Sequence, residues 1–372
     1  MRTDFSQLEP VLTRPAAPTR IYLDHAATTA MTPAAIAAVA DGMARWANPS
    51  SPHAEGRAAR AALEQARRDI AAAYGWTGET LLTSGASESL DIALGRSVAT
   101  RRFVSSVEHD AAMRAGGEAT LLPVGADGLV DLDALQSLLG NGDHALVAVQ
   151  WANSETGVSQ PIPAIADIVH AAGALLLVDA AQMPASEALA PHADFVALSA
   201  HKRGGPPGMG ALLVRDLATL QPSGGQERGY RAGTENLPAA LGYAAALGEP
   251  EPIARWTTMR ARLDDAIRRS GGTVVADASL RHSAIASYHL PGVAAAAQLI
   301  RLDAAGFAVS AGSACSSGSM KPSHVLGAMG WSEAASREVV RVSFGRTTQD
   351  TDIDAFIAAW RAVARATQAF AA

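Results

Sequence analysis

This chain holds one cysteine in 372 residues, Cys315, and that scarcity removes whole classes of chemistry. No disulfide can form within the chain, and a metal site built on several thiolates is ruled out. Basic residues are also in the minority, with 30 Lys and Arg against 36 Asp and Glu and a formal charge of −6 when histidine is neutral. A broad electrostatic hold on nucleic acid or on an anionic membrane surface is therefore not expected. Local basic stretches, such as Arg101 with Arg102 and the arginines between Arg57 and Arg68, read as a solvated edge and an exposed helix face. No uninterrupted apolar run reaches the roughly 18 residues that a membrane helix needs, and the opening MRTDFSQLEP carries an acid and no signal-peptide core. The expected location is the cytoplasm.

What is present is the balance of a well-buried folded protein: 48% apolar residues, 18% charged, and heavy use of alanine. The length suits one large core and a smaller satellite. The residues Ile21 to Leu23 read as a short strand. Pro33 then opens a helix in which Ile36, Val39, Met43 and Trp46 keep helical spacing, and a second helix from about Ala54 to Tyr74 sets Leu63, Ala66 and Ile70 on one face. TLLTSG, FVSSV, ALVAVQ, ALLLVD, FVALSA and ALLVR are short, nearly unbroken apolar runs, as strands buried on both faces should be. Helical stretches near Glu88, Leu132, Pro163 and Glu235 alternate with them or follow them, which predicts a mostly parallel sheet in an α/β fold. EPEPIARW marks a boundary near residue 251. Beyond it come a long helix to about Arg269, the strands TVV, SAIASYHL, FAVS and VVRVSF, and a last helix from Asp350. The expected division is an arm over 1–30 packed on the smaller domain, a large domain over 31–251 and a smaller α+β domain over 252–372.

Four polar clusters end strands of the large domain, and ligands bind at the carboxyl ends of such strands. TSGASES, from Thr83 to Ser89, leads from a strand into a helix start suited to an anion, though such a sequence equally caps a helix. His109 follows FVSSV; it is either a boundary histidine or a flat ring able to stack on a planar group and move protons. Asn153 and Glu155 in WANSETG fit a plain loop nearly as well as a site. Asp179 closes the strongest hydrophobic strand, and His201 and Lys202 close another about twenty residues later, before GGPPGMG. A carboxylate and an amine delivered by two strands beside an anion nest is what a pyridoxal cofactor requires: the amine condenses with the aldehyde, and the carboxylate keeps the pyridine nitrogen protonated. Ser87, Ser199 and His201 are candidate phosphate anchors. A structural ion pair is the competing account of Asp179 and Lys202.

In the carboxyl-terminal part, glycine, serine and alanine surround Cys315 with no aliphatic run to bury it, which favours a nucleophilic thiol over a small buried hydrophobe. Arg341 alternates with Val340 and Val342 on a strand and suits a fork for a substrate carboxylate, with Arg346 as the rival.

In order and approximate spacing, LDHAATT, NPSSPHAEGRAAR, TSGASES, EH, NSETG, VDAAQ, SAHK, GALLVR, GGQERGYRAGTEN, SAGSACSSG and RVSFGR resemble the cysteine desulfurases of the NifS and IscS branch, over about residues 21 to 350. The resemblance implies a fold-type I pyridoxal phosphate enzyme of the class V aminotransferase superfamily, its large domain built on a mostly parallel seven-stranded sheet. It puts the Schiff-base lysine at Lys202, the stacking histidine at His109 and the pyridine partner at Asp179. Asn153 and Gln182 fall near the ring oxygen, Asn153 also near substrate. Ala86, Ser87, Ser199 and His201 fall at the phosphate, joined by Thr234 from a neighbouring subunit, which implies a homodimer with composite sites. Arg341 matches the carboxylate-binding arginine and Cys315 the persulfide carrier. The implied activity converts L-cysteine to L-alanine and passes sulfur to an acceptor or scaffold protein, for iron-sulfur cluster assembly or thiolation, with no metal.

The chain departs from the family pattern in three places: Ser87 replaces a threonine, SAHK replaces SGHK, and GGPPG replaces GPKG or GGPKG. An added methyl at Ala200 fits only if the backbone there is not left-handed, and GGPPG removes a positive charge from the turn. The alternatives are a selenocysteine lyase, an aminotransferase or kynureninase-like lyase of the same fold, an idle scaffold that kept the fold, and a dinucleotide-binding dehydrogenase. The last lacks any G-x-G-x-x-G after the first strand.

Overall fold

The computed structural model describes residues 20–140, 144–311 and 322–371, with side chains to residue 366. Cys315 lies outside the described residues. The strands are β1 (Ile21–Tyr22), β2 (Glu79–Thr83), β3 (Arg101–Ser105), β4 (Thr120–Leu122), β5 (Ala145–Gln150), β6 (Leu175–Asp179), β7 (Phe195–Ser199), β8 (Gly210–Val214), β9 (Thr273–Val274), β10 (Ile285–His289), β11 (Phe307–Ala308), β12 (Ser310–Ala311) and β13 (Val339–Ser343).

Seven of them form one sheet in the order β2-β8-β7-β6-β5-β3-β4. Strands β3 to β7 pair in parallel, while β8 is antiparallel to both of its neighbours. It follows that β2 runs the same way as β7, so the carboxyl ends of β2, β3, β5, β6 and β7 share one edge. The apolar runs are unbroken because both faces are covered: Leu82, Val147, Val178 and Leu198 enter one core, and Leu81, Leu146, Leu177 and Ala197 the other. All six large-domain strands read from the sequence are present. Strand β4 and the helix Asp110–Gly116 were not read; three residues and seven are too few to carry a period.

The helix Pro33–Ala44 starts as expected, with the Thr32 hydroxyl accepting the N–H of Ala35, but its large apolar side chains do not face the core. Ile36 and Met43 are 55% and 68% exposed, and Trp46, read from the sequence as part of the helix, lies beyond its end and is 81% exposed. The packed face is the small one, Ala35 and Gly42; a Cβ on Gly42 would stand 2.6 Å from Cα of Pro238, so the helix Leu237–Leu247 comes in too close for a larger residue.

The other strands build a second sheet, β12-β13-β10-β9, and a parallel pair, β1 with β11. FAVS, read as one strand, is split between them: Phe307 and Ala308 pair with Ile21 and Tyr22, whereas Ser310 and Ala311 pair with β13. A bridge from Asp24 to Ser343 continues the contact of the arm with this region. Tyr288, Val340, Phe356 and Trp360 lie in its core, covered by the helices Ile253–Arg268 and Asp350–Ala371.

Candidate active site

The polar residues at the shared strand edge close on a cavity of about 410 Å3. Each is placed by backbone. Thr83 ends β2, and Gly85, with φ of 151°, turns the chain into the helix Ala86–Arg96. That helix start has no side-chain cap, and Gly85, Ala86, Ser87 and Glu88 line the cavity. Backbone N–H groups at an uncapped helix start attract an anion.

Asp179 ends β6, and its Oδ1 accepts the N–H of Ala181 at 2.9 Å. Ser199 ends β7, and the turn Ala200–Lys202 carries His201 and Lys202 into the same cavity. Ala200 is fully buried and is not among the residues of positive φ, so its methyl is accommodated. The GGPPG turn brings Pro207 and Gly208 to the rim, with Gly204 and Gly208 at φ of 84° and 72°.

His109 caps the helix Asp110–Gly116: its Nδ1 accepts the N–H of Ala111 at 3.1 Å, which leaves the proton of the neutral ring on Nε2. Burial above all, then the charge of Lys202, holds His109 below the ordinary imidazole range, with Asp179 opposing. The amine, the imidazole and the carboxylate thus stand near enough to act on one another. His201 meets Thr28 Oγ1 through Nδ1 at 3.0 Å and is lowered to about 4, first by burial and then by Lys202 and Arg203, so it is uncharged near neutrality.

Arg341 comes from β13 and enters from the opposite side. Nη2 donates to Asp24 Oδ1 at 2.7 Å, Nη1 donates to the Ser154 carbonyl at 2.9 Å, and the buried Nε has no partner. Arg346 is outside the cavity lining, held by the Arg203 and Glu249 carbonyls and by Glu251. Gln182 lines the cavity; Nε2 donates to the Ala26 carbonyl at 3.0 Å and its buried Oε1 has no partner.

Two proposed ligands of the cofactor or substrate do not line this cavity. Asn153 is buried behind it: Oδ1 accepts the N–H groups of Glu155 and Thr156, and Nδ2 donates to the Val107 carbonyl. Thr234 is exposed on the surface. Sequence reasoning gave no role to Asp24, the partner of Arg341; an acid in a short polar segment carries no period that would single it out.

The cavity's size, its uncapped helix start and the Lys202 amine and Asp179 carboxylate in its lining fit a phosphorylated pyridine aldehyde. Residues 21–356 match the family described as aminotransferase class-V. The chain is 38% identical to an IscS-like cysteine desulfurase of Mycobacterium tuberculosis, over 94% of this chain and 97% of the relative, and 38% identical to a cysteine desulfurase of Bradyrhizobium diazoefficiens, over 91% and 93%. Among solved structures, a NifS-like protein of Rickettsia africae superposes with a TM-score of 0.85 at 29% identity, covering 92% of this chain and 99% of that one. The structure of SspA in complex with cysteine superposes at 0.77 with 27% identity, covering 88% and 100%.

Proposed function

Because the chain belongs to the class-V aminotransferase family and, within it, to the NifS- and IscS-like cysteine desulfurases, we propose residue roles for the conversion of L-cysteine to L-alanine with sulfur left on the protein. The cofactor is pyridoxal phosphate, which when bound supplies an aldehyde for a lysine and a ring that draws electrons from the substrate's α carbon.

Lys202 Nζ would hold the cofactor covalently, and its amine would take and return the proton of the substrate α carbon. Asp179 would keep a proton at the pyridine nitrogen, so that the bound ring draws electrons. His109, whose Nδ1 accepts the Ala111 N–H, would stack on the ring as a neutral imidazole with its proton on Nε2. Ala86, Ser87, Ser199 and the uncharged His201, which line the cavity, would hold the phosphate as hydrogen-bonding groups. Arg341 takes the substrate carboxylate on its unpartnered Nε edge. Cys315 Sγ, as thiolate, attacks the substrate sulfur; the carbon–sulfur bond breaks, a persulfide forms on Cys315, and the carbon fragment leaves as alanine after reprotonation.

The observation that carries this reading is that Lys202, Asp179, His109 and Arg341, far apart in the chain and from two sheets, meet at one cavity. Wild type should show the visible absorption of the lysine-bound cofactor, and Lys202→Ala should lack it. Cys315→Ala should keep that absorption and respond to L-cysteine, yet form no protein-bound persulfide. Accumulation of a 2-oxo acid in place of alanine would favour a transaminase.

We further propose that two chains assemble as a homodimer with composite sites. Exposed Ile36, Met43 and Trp46, and the exposure of Thr234 away from its own chain's cavity, support this. Asn153 acts by shaping the wall beside Ser154, and Gln182 offers its free oxygen side to the ring region. The division at residue 251 separates the cofactor-holding domain from the domain that bears Arg341 and Cys315, with the described part of the arm, residues 20–30, on the latter. The persulfide then passes to an acceptor protein for iron-sulfur cluster assembly or thiolation in the cytoplasm. No described helix is long and apolar enough to cross a membrane.

A further inference from the structure

Glu108 takes no part in the steps above, yet its side chain is wholly buried directly before His109. Oε1 accepts the backbone N–H of Gln150 at 2.7 Å, and Gln150 is the register partner of Asp179 across β5 and β6. The Glu108 carbonyl accepts a hydrogen bond from His324 Nε2 at 2.8 Å. One residue therefore joins the loop that carries His109, the end of the strand beside Asp179, and a segment from the other region. Oε2 is buried and has no partner.

A charge on this carboxyl would leave one oxygen unsatisfied and would stand near a second negative group, Asp179. Burying such a charge costs far more than burying the neutral acid. Burial first, and then Asp179, pushes the carboxyl well above the usual carboxylate range, against the pull of the Gln150 N–H and the Ser105 hydroxyl.

We propose that Glu108 is a positioning residue: as an uncharged acid it clamps β5 at Gln150, so that Asp179 is held in line without a negative charge from Glu108 beside it. The inference rests on the reading that Asp179 faces the pyridine nitrogen. An uncharged clamp keeps a second negative charge away from a group whose task is to stabilise one proton.

The test uses the holoenzyme and three variants, Glu108→Gln, Glu108→Ala and Asp179→Asn. At neutral pH the infrared difference between wild type and Glu108→Gln should contain the carbonyl stretch of a protonated carboxylic acid. Glu108→Gln should keep kcat within about threefold, because the amide is uncharged and keeps the acceptor for Gln150. Glu108→Ala should lower kcat about tenfold or more and shift the pH titration of the visible band, with KM for L-cysteine changed much less. A carboxylate band in place of the acid band overturns the proposal. So does a Glu108→Gln variant as impaired as Glu108→Ala, or a Glu108→Ala variant with wild-type kcat and titration. If Asp179→Asn leaves the visible band and its titration untouched, the reading of Asp179 fails and the proposed consequence of the clamp falls with it.

Discussion

The two walls of the cavity are held in different ways. On the large-sheet side, Asp179, Ser199 and Lys202 follow the ends of adjacent parallel strands, and their spacing is fixed by the ladder of β5, β6 and β7. On the other side, Arg341 sits in the middle of β13, opposite Ser287 and Ser310, and reaches the cavity across the seam between the two regions. Its direction is set by two hydrogen bonds to that seam, one from Nη2 to Asp24 and one from Nη1 to the Ser154 carbonyl. A sheet with seven strands moves little, whereas a seam made of loops responds to every residue in it. Cofactor binding should therefore depend on the large sheet, and substrate binding on the seam.

The largest effect should come from the large-sheet side. In the proposed roles Lys202→Ala would remove both the covalent hold and the proton carrier, and kcat should fall at least about a thousandfold. Retention of the lysine-bound absorption by this variant would break the comparison at its root. On the seam side, Arg341→Lys keeps the positive charge but loses the fork, at about 2 kcal/mol, so KM for L-cysteine should rise on the order of thirtyfold. The visible spectrum of the holoenzyme should not change. If spectrum and KM moved together, the two walls would not be separable.

How much of this was legible in the sequence follows the same division. Strand ends leave marks, because a run buried on both faces and closed by a polar residue is continuous in the chain; ALLLVD and FVALSA located Asp179 and Lys202 in this way. The seam leaves none. Asp24 and Arg341 are 317 positions apart, and no local period records such a bond. The helix over Pro33–Ala44 shows a further limit. Its apolar spacing was real, but Gly42 and Ala35 decided which face packs, and the large side chains were left exposed. The motif that placed Asn153 near the ring oxygen does not record that its side chain also bonds Glu155, Thr156 and Val107.

Gly157 offers a sharper test of the seam. It has φ of 78°, and a Cβ there would stand 2.3 Å from the carbonyl oxygen of Ile285, so Gly157→Ala introduces both strain and a clash with the other region. Its own carbonyl accepts the N–H of His282 at 2.7 Å. The expected loss of stability is about 2 kcal/mol, read as a lower melting temperature, with KM raised more than kcat is lowered. A variant that melts lower but binds L-cysteine as wild type does would show that the seam serves stability alone.

The smallest effect is the response of the same seam to acid. His282 is buried, its Nδ1 accepts the N–H of Ala284 at 3.0 Å, and Arg203 and Arg260 lie near it. Burial first, then those two charges, lowers it to about 3. The unfolded chain, with an ordinary imidazole near 6.5, takes up the proton before the folded one does. The stability that depends on a neutral His282 is thus complete above about 6.5 and is lost as pH falls toward about 3. At pH 5.5, one unit below the ordinary value, the loss should be about 1.4 kcal/mol. His25 and His201, each lowered to about 4, titrate in the same direction, so the contribution of His282 is the difference between wild type and His282→Asn. Asparagine keeps an acceptor for Ala284 without a proton to gain, and its melting temperature should fall less between pH 7 and 5.5 than that of wild type. Equal slopes for the two proteins would mean that acid acts elsewhere, and the seam would lose its claim to be the more responsive of the two walls.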